Sequence, residues 1–159
     1  MDIRTTHVPG FKIGTAEDRE GITGVTVFLA PEDGAAAGLD VRGCAPGTRE
    51  TDLLSPEKTV QKIHAVVLSG GSAFGLEADS GVMRYLAEQG IGFPVGDSAV
   101  PIVCGAVLFD LSIGDPHAFP DLEMGITAAS AAGTDFAVGC YGAGTGASVG
   151  SVSGFEDAL

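Results

Sequence analysis

Residues 64–90, HAVVLSGGSAFGLEADSGVMRYLAEQG, constrain the fold more than any other stretch. His64–Ser69 is a short apolar run with the length of a buried strand. Leu68–Ala78 then carries three glycines, and a helix is predicted over about 75–89. Leu76, Val82, Met83 and Leu86 recur there at helical spacing, leaving Glu77, Arg84 and Glu88 for water. Gly90 is the expected stop. A strand that turns directly into a helix is the start of a layered α/β unit.

The other segments agree with that class. GVTVFLA (Gly24–Ala30) reads as a strand ended by Pro31. Ala37–Gly43 alternates weakly and is predicted to pair with it across the turn residues PEDGAA. Ser55-Pro56 has the form of a helix start. AVPIVCGAVLFDL (99–111) reads as one strand broken near Gly105, or as two. Asp121–Gly133 reads as a small-residue helix able to approach a sheet closely, and 135–150 as a strand entering a glycine-rich loop. With 25 glycines and only 6% aromatics, the core must come from Val, Ile, Leu and Ala around closely approaching backbones. The strands barely alternate, as expected of strands covered on both faces. No closing strand or helix follows SGFEDAL, so the sheet is expected to be completed by a second half or another polypeptide.

Length sets one domain, 1–159. Net charge is −13 with eight Lys and Arg, which disfavours nucleic acid and anionic membrane surfaces as partners. Three cysteines without a C-x-x-C pattern fit a reduced, cytoplasmic protein. The longest apolar stretch, Ala99–Phe109, is too short for a membrane span and contains Pro101.

The glycine-rich turns invite three chemical readings. A P-loop needs Lys and Ser/Thr after its last glycine, but Leu76 and Glu77 stand there, and a carboxylate would repel phosphate. A nucleophile elbow needs G-x-S-x-G, but Gly75 comes one place too late after Ser72. The alternative is a tight turn with Ser69 or Ser72 capping the helix. GAGTGA (Gly142–Ala147) matches a dinucleotide-loop spacing, yet the sequence ends before the acidic residue that such a site needs. His64 and His117 are isolated, Asp110, Asp115 and Asp121 read as strand-end or helix-start carboxylates, and no metal motif is present.

Taken in order, HAVVLSGGSAFGLEA through GVMRYLAEQGIGFPVG, then VPIVCGAVLFDLSIGD, then GAGTGASVG, with GITGVTVFLAP less specific, resemble the first half of the DmpA family. That family includes L-aminopeptidase/D-amidases, β-peptidyl aminopeptidases and a nylon-oligomer hydrolase. The resemblance implies a layered αββα sandwich of the N-terminal-nucleophile hydrolase type, incomplete in this chain. It implies a precursor that cuts itself and exposes an N-terminal Ser or Thr as nucleophile. No metal or organic cofactor is implied. The partners are the C-terminal portion of the same precursor, a peptide or amide substrate and further copies in a homo-oligomer. The nucleophile lies beyond this sequence, so no catalytic residue is assigned within it. The substrate-pocket candidates are Gly70, Gly71, Ser72, Phe109, Gly144, Thr145 and Ser151. The resemblance puts Phe109 where the nylon-hydrolase branch has a Tyr, Ser151 where it has a Lys, and Cys104 where many relatives have Pro. An inactive family fragment and a small-ligand-binding α/β domain stand as alternatives.

Overall fold

The structure, a computed structural model, describes residues 3–4, 8–150 and 154. Its strands are β1 (Ile3–Arg4), β2 (Lys12–Asp18), β3 (Thr23–Leu29), β4 (Thr48–Arg49), β5 (Ala65–Ser69), β6 (Phe93–Val95), β7 (Ser98–Val100), β8 (Val103–Val107) and β9 (Asp135–Phe136). Its helices are α1 (Glu77–Glu88) and α2 (Leu122–Ser130). The main sheet runs β2-β3-β5-β8-β4. β5 and β8 are parallel, as two strands joined through a helix can be, and the other pairings are antiparallel. β1 pairs with β9, and β6 with β7, in two-stranded sheets.

One face of the sheet is dry. Val25, Val27 and Leu29 of β3, Ala65 and Val67 of β5, and Val103 of β8 meet Ala78, Val82 and Leu86 of α1 and Ala128 and Ala129 of α2. No aromatic residue belongs to this buried set among the described residues. The space that rings would fill is closed by backbone approach. A Cβ on Gly125 would lie 2.1 Å from the Ala78 carbonyl oxygen, one on Gly81 2.0 Å from that of Leu122, and one on Gly14 1.9 Å from that of Ala128. The small-residue helix therefore packs as its composition predicts, and the Asp121 carboxylate caps it by accepting the Met124 N–H at 2.8 Å.

The opposite face is partly covered. Ile63, Ile102 and Cys104 pack with Leu53, Leu54, Val60 and Val66, while Gly142–Gly144 lies over Thr15 and Thr26. Between these covers, Phe28 and Leu68 remain exposed. Double-sided burial of the strands is thus not reached within this chain.

Four expectations are corrected. Ala37–Gly43 is an exposed loop, because Leu39 and Val41 find no apolar face, and β3 pairs with β2 and β5 instead. Ser55 opens no helix: a 3-10 turn covers Asp52–Leu54 before it, and the chain then follows turns to β5. The break in 99–111 falls at Pro101-Ile102, where proline interrupts pairing, while Gly105 lies inside β8. Neither Ser69 nor Ser72 caps α1. Ser69 Oγ donates to the Gly70 carbonyl at 3.2 Å, and a 3-10 turn over Ser72–Leu76 precedes the helix without a side-chain cap.

Gly105 is set by Asp79. A Cβ there would sit 1.9 Å from Asp79 Oδ2, which is buried without a hydrogen-bond partner. Arg49 of β4 stands opposite Gly105 but spends its guanidinium on Ser80 Oγ (2.6 Å) and Met83 Sδ (3.6 Å). Burial pushes the Asp79 carboxyl up from 3.8 to about 7, against the opposing pull of Arg49. Burial, with Glu50 and Asp79 adding to it, pushes the Cys104 thiol up to about 11, which leaves it a small inert core residue.

The stability tied to protonated Asp79 is fully present below about pH 4 and is lost as pH rises through about 7. Asp79→Asn should remove that slope from denaturant midpoints measured between pH 4 and 8, relative to wild type. Gly125→Ala should destabilise by about 2 kcal/mol in urea unfolding, since a methyl must push two backbones apart. Gly38→Ala, which meets nothing within 4 Å, should stay within about 0.5 kcal/mol.

Candidate functional site

The carboxyl ends of the parallel pair β5 and β8 are where open α/β sheets bind ligands. Here β5 gives the turn Gly70–Ser72, and β8 continues into Leu108-Phe109-Asp110. The two are tied together: Leu108 N–H donates to the Ser69 carbonyl at 2.9 Å, and Ser72 N–H to the Leu108 carbonyl at 3.0 Å. The turn is left-handed over two residues, Gly71 at φ +77° and Ser72 at φ +53°. A side-chain-bearing residue in that region costs about 1–2 kcal/mol, so this geometry is imposed by its surroundings.

The imposing group is Asp110. Its carboxylate is only 3% exposed. Oδ1 accepts the Gly71 N–H at 2.6 Å, and Oδ2 accepts the Thr23 hydroxyl at 2.8 Å, bringing in the first residue of β3. The glycine-rich loop closes on the same group, since a Cβ on Gly146 would lie 2.6 Å from Asp110 Oδ2. Gly70, Gly71, Ser72 and Phe109 are therefore neighbours of one junction, and Gly144 and Thr145 belong to a loop that enters it through Gly146. Thr145 Oγ1 is buried there without a partner. Phe109 is 46% exposed, and Phe74, 58% exposed, stacks on Phe119 with ring centroids 4.7 Å apart. Ser151 lies outside the described residues.

The hydrogen-bond accounting decides between the chemical readings. All three amides of the turn are spent internally: Gly70 on the Gly24 carbonyl (2.9 Å), Gly71 on Asp110 and Ser72 on Leu108. None is left to cradle a phosphate. The first four amides of the second loop are spent as well. Gly142 donates to Glu17 Oε2 (3.1 Å), Ala143 to Thr26 Oγ1 (3.1 Å), Gly144 to the Tyr141 carbonyl and Thr145 to the Gly142 carbonyl (3.0 Å each). The elbow reading finds no base in His64, which precedes β5, so the strand's length, roughly 16 Å, separates it from Ser72. Its Nδ1 accepts the Ile102 N–H at 3.1 Å, and burial lowers its basicity. Among the described residues, no group of three or more His, Cys, Asp or Glu could hold a metal ion. Cavities of about 550 and 500 Å³ open elsewhere, beside Glu50–Val60 and beside Tyr85 and Gln89.

Residues 4–154 match Peptidase family S58. The chain belongs to that family. An uncharacterized aminopeptidase of Mycobacterium tuberculosis is 50% identical to this S58 chain over 131 residues, 82% of this chain and 38% of that protein. The 6-aminohexanoate-oligomer endohydrolase of Paenarthrobacter ureafaciens is 37% identical over 145 residues, 91% of this chain and 38% of the enzyme. Among solved structures, the L-aminopeptidase D-Ala-esterase/amidase from Ochrobactrum anthropi, described as a variant of the Ntn hydrolase fold, superposes with a TM-score of 0.70 at 18% identity. That superposition covers 90% of this chain and 44% of that one. A Burkholderia sp. beta-aminopeptidase gives 0.63 at 18% identity, over 92% and 44%. The fold is thus of the N-terminal-nucleophile hydrolase type, and one helical layer on one main sheet is what this S58 chain supplies of it. The chain spans 38–44% of the length of the relatives it matches.

Sequence reasoning placed the two glycine-rich turns and Phe109 but missed Asp110 and Thr23 as the groups that join them. Asp110 reads in isolation as an ordinary strand-end carboxylate. Its only sequence signal is that glycines in two separate turns, Gly70-Gly71 and Gly146, need a common reason.

Proposed function

We infer that this chain is the N-terminal portion of a self-processing aminopeptidase or amidase that hydrolyses peptide, amide or ester bonds. The observation that carries the reading is the match to Peptidase family S58 over nearly the whole chain, beside relatives more than twice as long. The site supports it by what it contains. The described residues give a braced surface with an aromatic side, and among them the Ser72 hydroxyl makes no hydrogen bond to a histidine or carboxylate, which supports an attacking group supplied by another segment. In the proposed reaction, an N-terminal Ser or Thr of the C-terminal portion gives its hydroxyl proton to its own α-amino group and attacks the substrate carbonyl. The tetrahedral intermediate expels the amine or alcohol, which takes up that proton, and water then releases the acyl group by the same route.

The role proposed for Gly70–Ser72, Phe109 and the Gly144-Thr145 loop is to shape the substrate's approach. Phe109 offers an apolar edge where the nylon-hydrolase branch is expected to offer a phenol. That difference favours, as a second reading, a family fragment with weakened catalysis, because a ring without a hydroxyl cannot donate to an oxyanion. Three free cysteines, two of them exposed, support a cytoplasmic setting, and no described helix is long and apolar enough to cross a membrane. The exposed Phe93, Val95 and Val100 on the β6–β7 hairpin support assembly into a homo-oligomer.

The test is expression of the complete reading frame, followed by intact mass and N-terminal sequencing. A second fragment beginning with Ser or Thr, and release of p-nitroaniline from amino-acid anilides, are expected. A second fragment that begins with none of Ser, Thr or Cys would sink the proposal. In that protein Ser72→Ala should lower kcat/KM by less than about tenfold, whereas loss of a true nucleophile costs several orders of magnitude.

A further inference from the structure

We propose that Asp110 is the positioning residue of this site, holding the left-handed Gly71-Ser72 step and the glycine-rich loop in register with the start of β3. The proposal rests on the hydrolase reading and adds to it the group that aligns its substrate-facing surface.

Three separate segments converge on this carboxylate. Gly71 N–H is bound to Oδ1 at 2.6 Å and the Thr23 hydroxyl to Oδ2 at 2.8 Å, and Thr23 is itself 2% exposed. Gly70 and Gly146 lie so close that a Cβ on either would come within 2.1 and 2.6 Å of Oδ2. Among the described residues no cation forms an ion pair with Asp110, and its partners are an N–H and an O–H donor. Buried, directional hydrogen bonds of this kind fix geometry strictly.

The same facts exclude a direct role. Both oxygens are committed and covered, so Asp110 neither meets a substrate ammonium nor takes a proton from a nucleophile. It acts through the turn. Ser72 stays at positive φ because Gly71 is clamped to Asp110 and Ser72 N–H reaches Leu108, two residues before it. Phe109, next in the chain to the clamp, is oriented by the same bond set. Release of the carboxylate frees the turn, the Phe109 peptide and the Gly146 loop at once. Catalytic rates respond steeply to ångström-scale misplacement, so the effect belongs in kcat rather than in binding.

The experiment uses the complete protein, with kcat and KM on an amino-acid p-nitroanilide and thermal midpoints for each variant. Asp110→Asn keeps a carbonyl for the Gly71 N–H and turns its amide toward the Thr23 oxygen, which then accepts. It should hold kcat within about fivefold of wild type. Asp110→Ala should lose about 100-fold in kcat with KM changed less than threefold. Leu86→Ala, in the last turn of α1, supplies a control destabilised by a core cavity alone and should retain wild-type kcat. If Asp110→Ala does not fold, Thr23→Val removes one donor only and should lower kcat about tenfold. Asp110→Ala or Thr23→Val with wild-type kcat would overturn the proposal, as would loss of kcat in Leu86→Ala equal to that of Asp110→Ala. An active wild type with unaffected variants leaves the hydrolase reading standing alone. A wild type without hydrolysis overturns that reading and this proposal with it.

Discussion

Helices α1 and α2 approach the sheet and each other at backbone distance, and the position of every loop at the carboxyl end of β5 depends on that spacing. Val, Ala and Leu fill the interior because Gly14, Gly81 and Gly125 leave no room for larger groups. A core of small residues packed to normal density buries less apolar area per residue than one built on rings, and it tolerates little change in volume. Its advantage is rigidity of placement: α1 can start within a few residues of β5 only if it lies almost on the sheet. A 3-10 turn over Ser72–Leu76 makes the connection, and at about 2.0 Å per residue against about 1.5 Å in an α-helix it carries the chain farther in the same number of residues.

Two buried aspartates show how unevenly that spacing treats polar groups. Asp110 sits where backbone and hydroxyl donors converge, and its burial is compensated. Asp79 sits beneath Gly105 with one oxygen unpartnered and the nearest guanidinium turned to Ser80, so burial dominates and favours the neutral acid. The first organises the end of the sheet that carries the proposed site. The second lies behind the sheet at the step between β8 and β4, where it costs stability at neutral pH.

The sequence made the βα unit legible because periodicity and glycine stops act locally: His64–Ser69 and about 75–89 mapped onto β5 and α1 within two residues, and Asp121 emerged as a cap. It failed where pairing is decided at a distance. β2 offers Lys12-Ile13-Gly14-Thr15-Ala16-Glu17-Asp18, too polar to stand out, and becomes a strand because β3 presents a full edge to it. Leu39 and Val41 had the local look of a strand and lost to that edge. The site was legible in its glycines and not in its acid. A glycine marks a place where something comes close, but the identity of that something, Asp110, is a matter of tertiary approach across 39 residues.

The spent amides also bear on how the proposed reaction would be divided between the two portions of the protein. Acyl transfer needs donors aimed at a developing oxyanion, and free backbone N–H groups at a glycine turn are the usual supply. Here the turn after β5 and the Gly142–Thr145 loop both consume theirs in holding the junction together. Freeing one would mean breaking a buried hydrogen bond at every turnover. An oxyanion donor from the C-terminal portion avoids that cost, because it can be placed without disturbing the clamp. In the proposed division, this portion contributes a wall braced by its own hydrogen bonds, and the groups that change charge during the reaction belong to the C-terminal portion.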